Sequence, residues 1–172
     1  IILLLYEAVA RGYAFGHEIF FAEAVDEAPG QDMVVQIDTK ESVSDAAQFL
    51  AHKGFLLADT SDCGITLMYL PLAEDAEPPE FKACARHPQA NGNGFVIYYT
   101  DQCPYTYYWV PRVQEVAKEH GIPFKAIHIT DKESAQNVPA PVTTYALFRD
   151  GQFLTQSIQS DKKFLALAGL QN

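Results

Sequence analysis

Three stretches of this chain hold residue types able to do chemistry. The first centres on Cys103, within FVIYYTDQCPYTYYWVPRVQEVAKEH at residues 95–120. Residues 95–99 read as a buried strand, Thr100-Asp101-Gln102 as a short loop, and Cys103-Pro104 as the opening of a helix. Proline suits the first helical position because its missing N–H would have no partner there. The Cys103 thiol is therefore predicted at the positive end of a helix, where dipole and free N–H groups favour a thiolate. The competing reading, a small buried hydrophobe, explains the residue but not its position.

The second stretch is Arg11-Gly12-Tyr13-Ala14-Phe15-Gly16. It falls between a strand predicted over 1–9 and a helix predicted over 17–27, where Ile19, Phe20, Glu23, Ala24 and Glu27 show a rough helical period. Strand, glycine-containing turn and helix start make an anion site, because backbone N–H groups converge there and the dipole assists. The third stretch is Cys84-x-x-His87. Two ligands on one turn fall short of the four that zinc takes, and no spacing links Cys63, so no metal is expected.

The elements that must position these residues follow from the remaining pattern. A strand is expected over 33–37, then a helix through Lys53, capped by Ser42 or Ser44 and stopped by Gly54. Strands over 55–58 and 65–70 flank a turn at 60–64. Residues 73–94 are acidic and proline-rich at first and turn-forming at the end, with a short helix between them, and read as a linker. After Cys103 the helix should carry Pro111 and place Tyr105, Trp109, Val113, Val116 and His120 on its core face. A strand over 124–129, a short helix capped by Asp131, a hairpin around Arg149-Asp150-Gly151 and a last helix over 164–170 complete the chain.

The totals bound the rest. A length of 172 residues, 48% of them hydrophobic and 20% charged, suits one or two soluble domains. The net charge of −10 argues against a nucleic-acid partner, though not against a phosphate-bearing cofactor held locally. Three cysteines at unrelated spacings make no disulfide framework and suit a cytoplasmic location. Ile1-Ile2-Leu3-Leu4-Leu5 is too short to span a bilayer and lacks the flanks of a signal peptide, so no membrane partner is expected. With no initiator Met, the chain reads as beginning inside a strand, as a fragment does.

Two resemblances order these features. The run over 1–70 resembles the C-terminal half of the GNAT acetyltransferase fold: RGYAFG is similar to its pyrophosphate loop, with Ala14 where the middle glycine usually stands. Phe49-Leu50-Ala51-His52-Lys53-Gly54-Phe55 resembles that family's run from helix to strand, with Leu50 where many members carry a general-acid tyrosine. Tyr69, His52 and His17 are then alternative proton sources. Strand, Cys-Pro-Tyr and helix resemble the thioredoxin-like fold, glutaredoxins in particular, with Thr106 replacing the second cysteine and Pro141 as the cis-proline. Residues 94–170 are more closely similar to the YoaP-like domain at the C-terminus of some GNAT-superfamily acetyltransferases.

The resemblances imply an α/β fold: a partial GNAT domain over 1–72, a linker over 73–94 and a thioredoxin-like, YoaP-like domain over 95–172. They imply an N-acetyltransferase that uses acetyl-CoA, bound through Arg11, Gly12, Tyr13, Ala14, Phe15 and Gly16, to acetylate a small-molecule or peptide amine. The amine would attack near Val34–Gln36, between splayed strands. The alternatives are a monothiol redox or thiol-transfer module with Cys103 as nucleophile, and a non-catalytic domain whose Tyr105, Tyr107, Tyr108 and Trp109 line a binding groove.

Overall fold

The computed structural model describes residues 19–20, 33–38, 45–73 and 77–170, with side chains from residue 47 onward. Among them stand two four-stranded sheets. The first contains β1 (Ile19–Phe20), β2 (Met33–Asp38), β3 (Leu56–Thr60) and β4 (Ile65–Leu70), in the order β1-β2-β4-β3 with all neighbours antiparallel. Helix α1 (Asp45–His52) joins β2 to β3. It stops as the sequence predicts: Gly54 takes φ +92°, and the Phe55 N–H donates back to the Leu50 carbonyl at 3.0 Å.

One expectation in this half is overturned. Ile19 and Phe20 are not helical but pair with Ile37 and Gln36. A short apolar run fits either period, and the ladder to β2 decides between them. The same pairing ties Gln36 into an antiparallel ladder on both sides, so the strands are not splayed at that residue.

The second sheet has the order β6-β5-β7-β8. Along the chain come β5 (Phe95–Tyr99), α3 (Pro104–Glu119), β6 (Phe124–His128), α4 (Lys132–Gln136), β7 (Tyr145–Arg149), β8 (Gln152–Thr155) and α5 (Asp161–Leu167), after a short α2 (Ala83–Arg86). β5 and β6 are parallel, and the other pairs are antiparallel. The fold class is thus α/β with mixed strand directions, consistent with a partial GNAT-type acetyltransferase fold. No helix among the described residues is long and apolar enough to cross a membrane.

The β7–β8 turn shows why local chemistry was readable here. Asp150 and Gly151 both take left-handed φ, +49° and +83°, which a two-residue turn needs to match strand twist. Asp150 then clamps the start of β5, its Oδ1 accepting from the Gly94 N–H at 2.8 Å and its own N–H donating to the Gly94 carbonyl at 2.8 Å. Gly94 admits no side chain, since a Cβ would lie 2.6 Å from the Pro123 carbonyl oxygen.

Both faces of the second sheet are covered. On one, Phe95, Ile97, Tyr145 and Leu147 pack against Val110, Val113, Val116 and Ala117 of α3 and Phe164 of α5. This corrects the expected stripe of α3. Thr106, Val110, Val113, Val116 and Ala117 face inward, whereas Tyr105 and His120 are exposed and Trp109 is half-buried. Aromatics crowd the first turns of α3 on all sides, so they define no face; the branched and small residues further along do.

On the other face, Val96, Ala146 and Phe148 share one core with Cys63, Ile65 and Leu67, which come from β4 and the turn before it. Phe81, Ala85 and Ala90 complete that core. The described part of the expected linker, 77–94, is therefore packed rather than free. Asp59 of β3 pins it: its Oδ2 accepts from the Phe81 N–H at 2.9 Å and from Arg86 Nη2 at 2.7 Å. The Ser61 hydroxyl adds a bond to the Ala85 carbonyl at 2.7 Å. An acidic, proline-rich composition marks solvent contact on average, but two or three apolar residues suffice to anchor a stretch.

Two predictions follow from this packing. Leu67 is fully buried where the sheets meet. Replacing it with Ala should cost about 2–5 kcal/mol. The loss should move the urea midpoint read at Trp109, the sole tryptophan, on α3 of the other sheet; an unmoved Trp109 transition would show two independent cores. The second concerns acid. Burial pushes the Asp59 carboxyl up, but Arg86 and the Phe81 and Thr60 amides outweigh it and hold its pKa below the usual range. A lowered folded pKa gives stability that is present above the unfolded value of about 3.9 and lost as pH falls below it. The stability difference between the native chain and Asp59→Asn, measured by urea denaturation, should therefore shrink from pH 6 towards pH 2.

Candidate functional site

Cys103 stands where the sequence puts it, as the residue capping α3, with extended φ and ψ of −111° and 123° and Pro104 directly behind it. It is half-buried, and its side chain makes no capping hydrogen bond. The loop that presents it is fixed from below by Thr106. That residue is fully buried; its N–H donates to the Cys103 carbonyl at 3.0 Å, and its hydroxyl reaches the Thr100 carbonyl at 2.8 Å and the Cys103 carbonyl at 2.6 Å. The residue read only as a missing second cysteine thus closes the loop itself.

A second loop abuts the first. The Thr144 carbonyl accepts from the Thr100 N–H at 3.3 Å, and the Thr144 hydroxyl donates to Gln102 Oε1 at 2.9 Å. Ala140, Pro141, Val142 and Thr143, just before it, are buried. Pro141 therefore does lie in a loop beside the cysteine loop, but its peptide bond is trans, like every other among the described residues. Trans is the default for X–Pro by roughly 0.5–1 kcal/mol, and the sequence carries no term that reverses it.

Three further residues gather beside this loop. The Tyr99 and His128 rings stack at 4.7 Å, and His128 Nε2 lies 3.0 Å from Asp101 Oδ2. Burial, and then the negative charge of Asp101, push the Tyr99 phenol above its ordinary pKa. The phenol accordingly stays neutral at physiological pH. Outward from Cys103, Tyr105, Tyr107 and Tyr108 are exposed, the middle one by 80%. Next to the loop, on the side of β6, a cleft of about 770 Å³ opens between residues 100–102 and 129–136.

The remaining sequence-predicted residues are scattered. Arg11, Gly12, Tyr13, Ala14, Phe15, Gly16 and His17 lie outside the described residues. Leu50 is buried on α1, Tyr69 is buried on β4, and His52 is exposed at the end of α1. His87 pairs with Asp62 at 2.7 Å, and among the described residues no three His, Cys, Asp or Glu side chains group to hold a metal. Cys63 is buried, with its Sγ 3.3 Å from the Ser61 hydroxyl. Sequence reasoning missed Tyr99, His128 and Asp101 as a set, since only the parallel pairing of β5 with β6 brings Tyr99 level with His128.

Residues 123–165 match a family model described as YoaP-like. The chain is 34% identical over 139 residues to a protein of Bacillus subtilis (strain 168) named Uncharacterized N-acetyltransferase YoaP. That match covers 80% of this chain and 55% of the relative, so the chain spans about half the length of the curated relative it matches. No solved structure matches the chain. The α/β chain described above is thus similar, over 80% of its length, to a protein named as an N-acetyltransferase.

Proposed function

We propose that this chain carries the cofactor-binding half of an acetyl-CoA-dependent N-acetyltransferase, joined to a thioredoxin-like C-terminal domain. The observation that carries the reading is the 34% identity, over 80% of the chain, to a relative named as an N-acetyltransferase. The order β2-β4-β3, built from a strand, a helix and a hairpin, supports it. The division into units over 1–72 and 95–172 belongs to the same proposal.

In this reading the amides of residues 11–16 and the Arg11 guanidinium hold the cofactor's diphosphate. The strand at Ile19–Phe20 removes the helix dipole from that argument, so backbone donors and Arg11 carry the charge between them. Acetyl-CoA supplies an acetyl thioester, and the acceptor is an amine. The chain's own contribution is positioning and hydrogen-bond donation from strand amides near Val34 and Val35. Leu50 has no proton to give and is packed in the interior. Titration of acetyl-CoA into the 172-residue chain should show binding that Gly16→Asp weakens at least tenfold, by the charge and bulk it brings to a diphosphate site. No binding, or equal binding by the variant, would overturn the assignment.

A second reading is favoured by one observation, the half-buried Cys103 at the start of α3, close in sequence to three exposed tyrosines. There the thiolate attacks a disulfide, forms a mixed disulfide and expels the other sulfur as a thiolate. Thr106 holds no thiol, so a second thiol from solution must complete the exchange. Iodoacetamide at neutral pH should label Cys103 roughly tenfold faster than the half-buried Cys84. Equal labelling rates would leave the fold without that chemistry.

A further inference from the structure

The second sheet ends on one side at β6, and its hydrogen bonds fix which backbone groups of that strand are left over. The Phe95 N–H donates to the Pro123 carbonyl at 2.8 Å, and the Ile129 N–H to the Tyr99 carbonyl at 2.8 Å. Phe95 lies level with Phe124 and Tyr99 with His128, so residues 123, 125, 127 and 129 turn their backbone groups towards β5. The N–H and carbonyl groups of Phe124, Ala126 and His128 point the other way. None of them has a hydrogen-bond partner among the described residues.

An open row of donors and acceptors invites another strand, and folds blunt such edges with bulges. The edge strands β3 and β8 both have one, with Ala58 and Leu154 as the extra residues. β6 has none, and its five residues run in unbroken register with β5. Phe124 and Ala126 pack on the α3 face, while Ile127 joins the opposite core, so Lys125 projects on the Ile127 side, where it is exposed. Between α3 and β6 lies a groove of about 810 Å³, with Pro111 and Lys118 on the helix side and Ile122 and Phe124 on the strand side. It leaves room for the side chains of a strand laid against β6.

The strand that fits this edge is a second copy of β6 itself. Set antiparallel about a twofold axis at Ala126, the outward groups of Ala126 meet those of Ala126 in the second copy, and Phe124 meets His128 in both directions. These are the three residues whose backbone groups are open. Lys125 then falls opposite Ile127 of the second copy and never opposite itself, so no like charges face one another. Its alkyl stem lies along an apolar side chain with the ammonium in water. We propose that β6 is a dimer interface, through which two copies of this chain join their second sheets into one. The inference rests on strand register and is independent of both the acetyltransferase and the thiol readings. A five-residue strand pair stands at the small end of interfaces, below about 1,200 Å² in total, so the dimer is a weak one.

Sedimentation equilibrium of the 172-residue chain should show monomer and dimer exchanging between about 10 µM and 1 mM, the weak range that so small an interface implies. Hydrogen exchange should slow with rising concentration at the amides of Phe124, Ala126 and His128, and stay unchanged at Leu56 and Leu57 of β3. Lys125→Ile, a change at an exposed position, should tighten the dimer roughly 2- to 30-fold, because it improves two identical cross-strand pairs. Ala126→Pro should weaken it roughly tenfold or more, since it deletes an N–H from the centre of the new ladder and none that bonds to β5. A chain that stays monomeric at about 1 mM would overturn the proposal and leave the edge to a strand of another protein. So would a dimer whose protected amides lie elsewhere, or one that Lys125→Ile fails to tighten. Should Ala126→Pro lower Tm, the exchange pattern and Lys125→Ile decide without it.

Discussion

The structure depends on covering the second face of the β6-β5-β7-β8 sheet. One face has its own helices, α3 and α5, but Val96, Ala146 and Phe148 project from the other. A sheet of this kind leaves no stable solution with one apolar face in water. The cover comes from Ile65 and Leu67 of the first sheet, with Phe81, Ala85 and Ala90 filling between. The Asp59–Arg86 pair at 2.7 Å and the Ser61 hydroxyl then hold the filling stretch in place. Loop, ion pair and capping bond all serve that one act of burial.

The cysteine loop is rigid for a related reason. It leaves β5 at Thr100, whose N–H and carbonyl are taken by Thr144 and Thr106, and both partners are fixed by the core below. The sulfur is thus held on a scaffold whose polar groups are spent on one another. Thr100 Oγ1, buried without a partner among the described residues, is the exception. Unsatisfied groups are informative because most of their neighbours are satisfied.

Features written in a few adjacent residues were legible in the sequence. Asp150-Gly151 announces its turn, Gly54 its helix end, Asp131 its cap and Cys103-Pro104 its helix start, because each needs only local dihedral freedom or a local donor. Features decided across the chain were not. Ile19–Phe20 became a strand because β2 was there to pair with it, and α3 turned its valines inward because a sheet lay on that side. The packing of 77–94 rests on Asp59, a residue with no sequence signature of its own. His128 sits far from Tyr99 and Asp101 in the chain and meets them only through strand register.

The seam between the sheets has a consequence for how such a chain can change over generations. A methyl group gained or lost on β4 alters the space left for β7, so a substitution on one side of the seam must be answered on the other. Halves joined in this way cannot be traded between lineages like beads on a string. They are bound to be inherited, and to drift, as a pair.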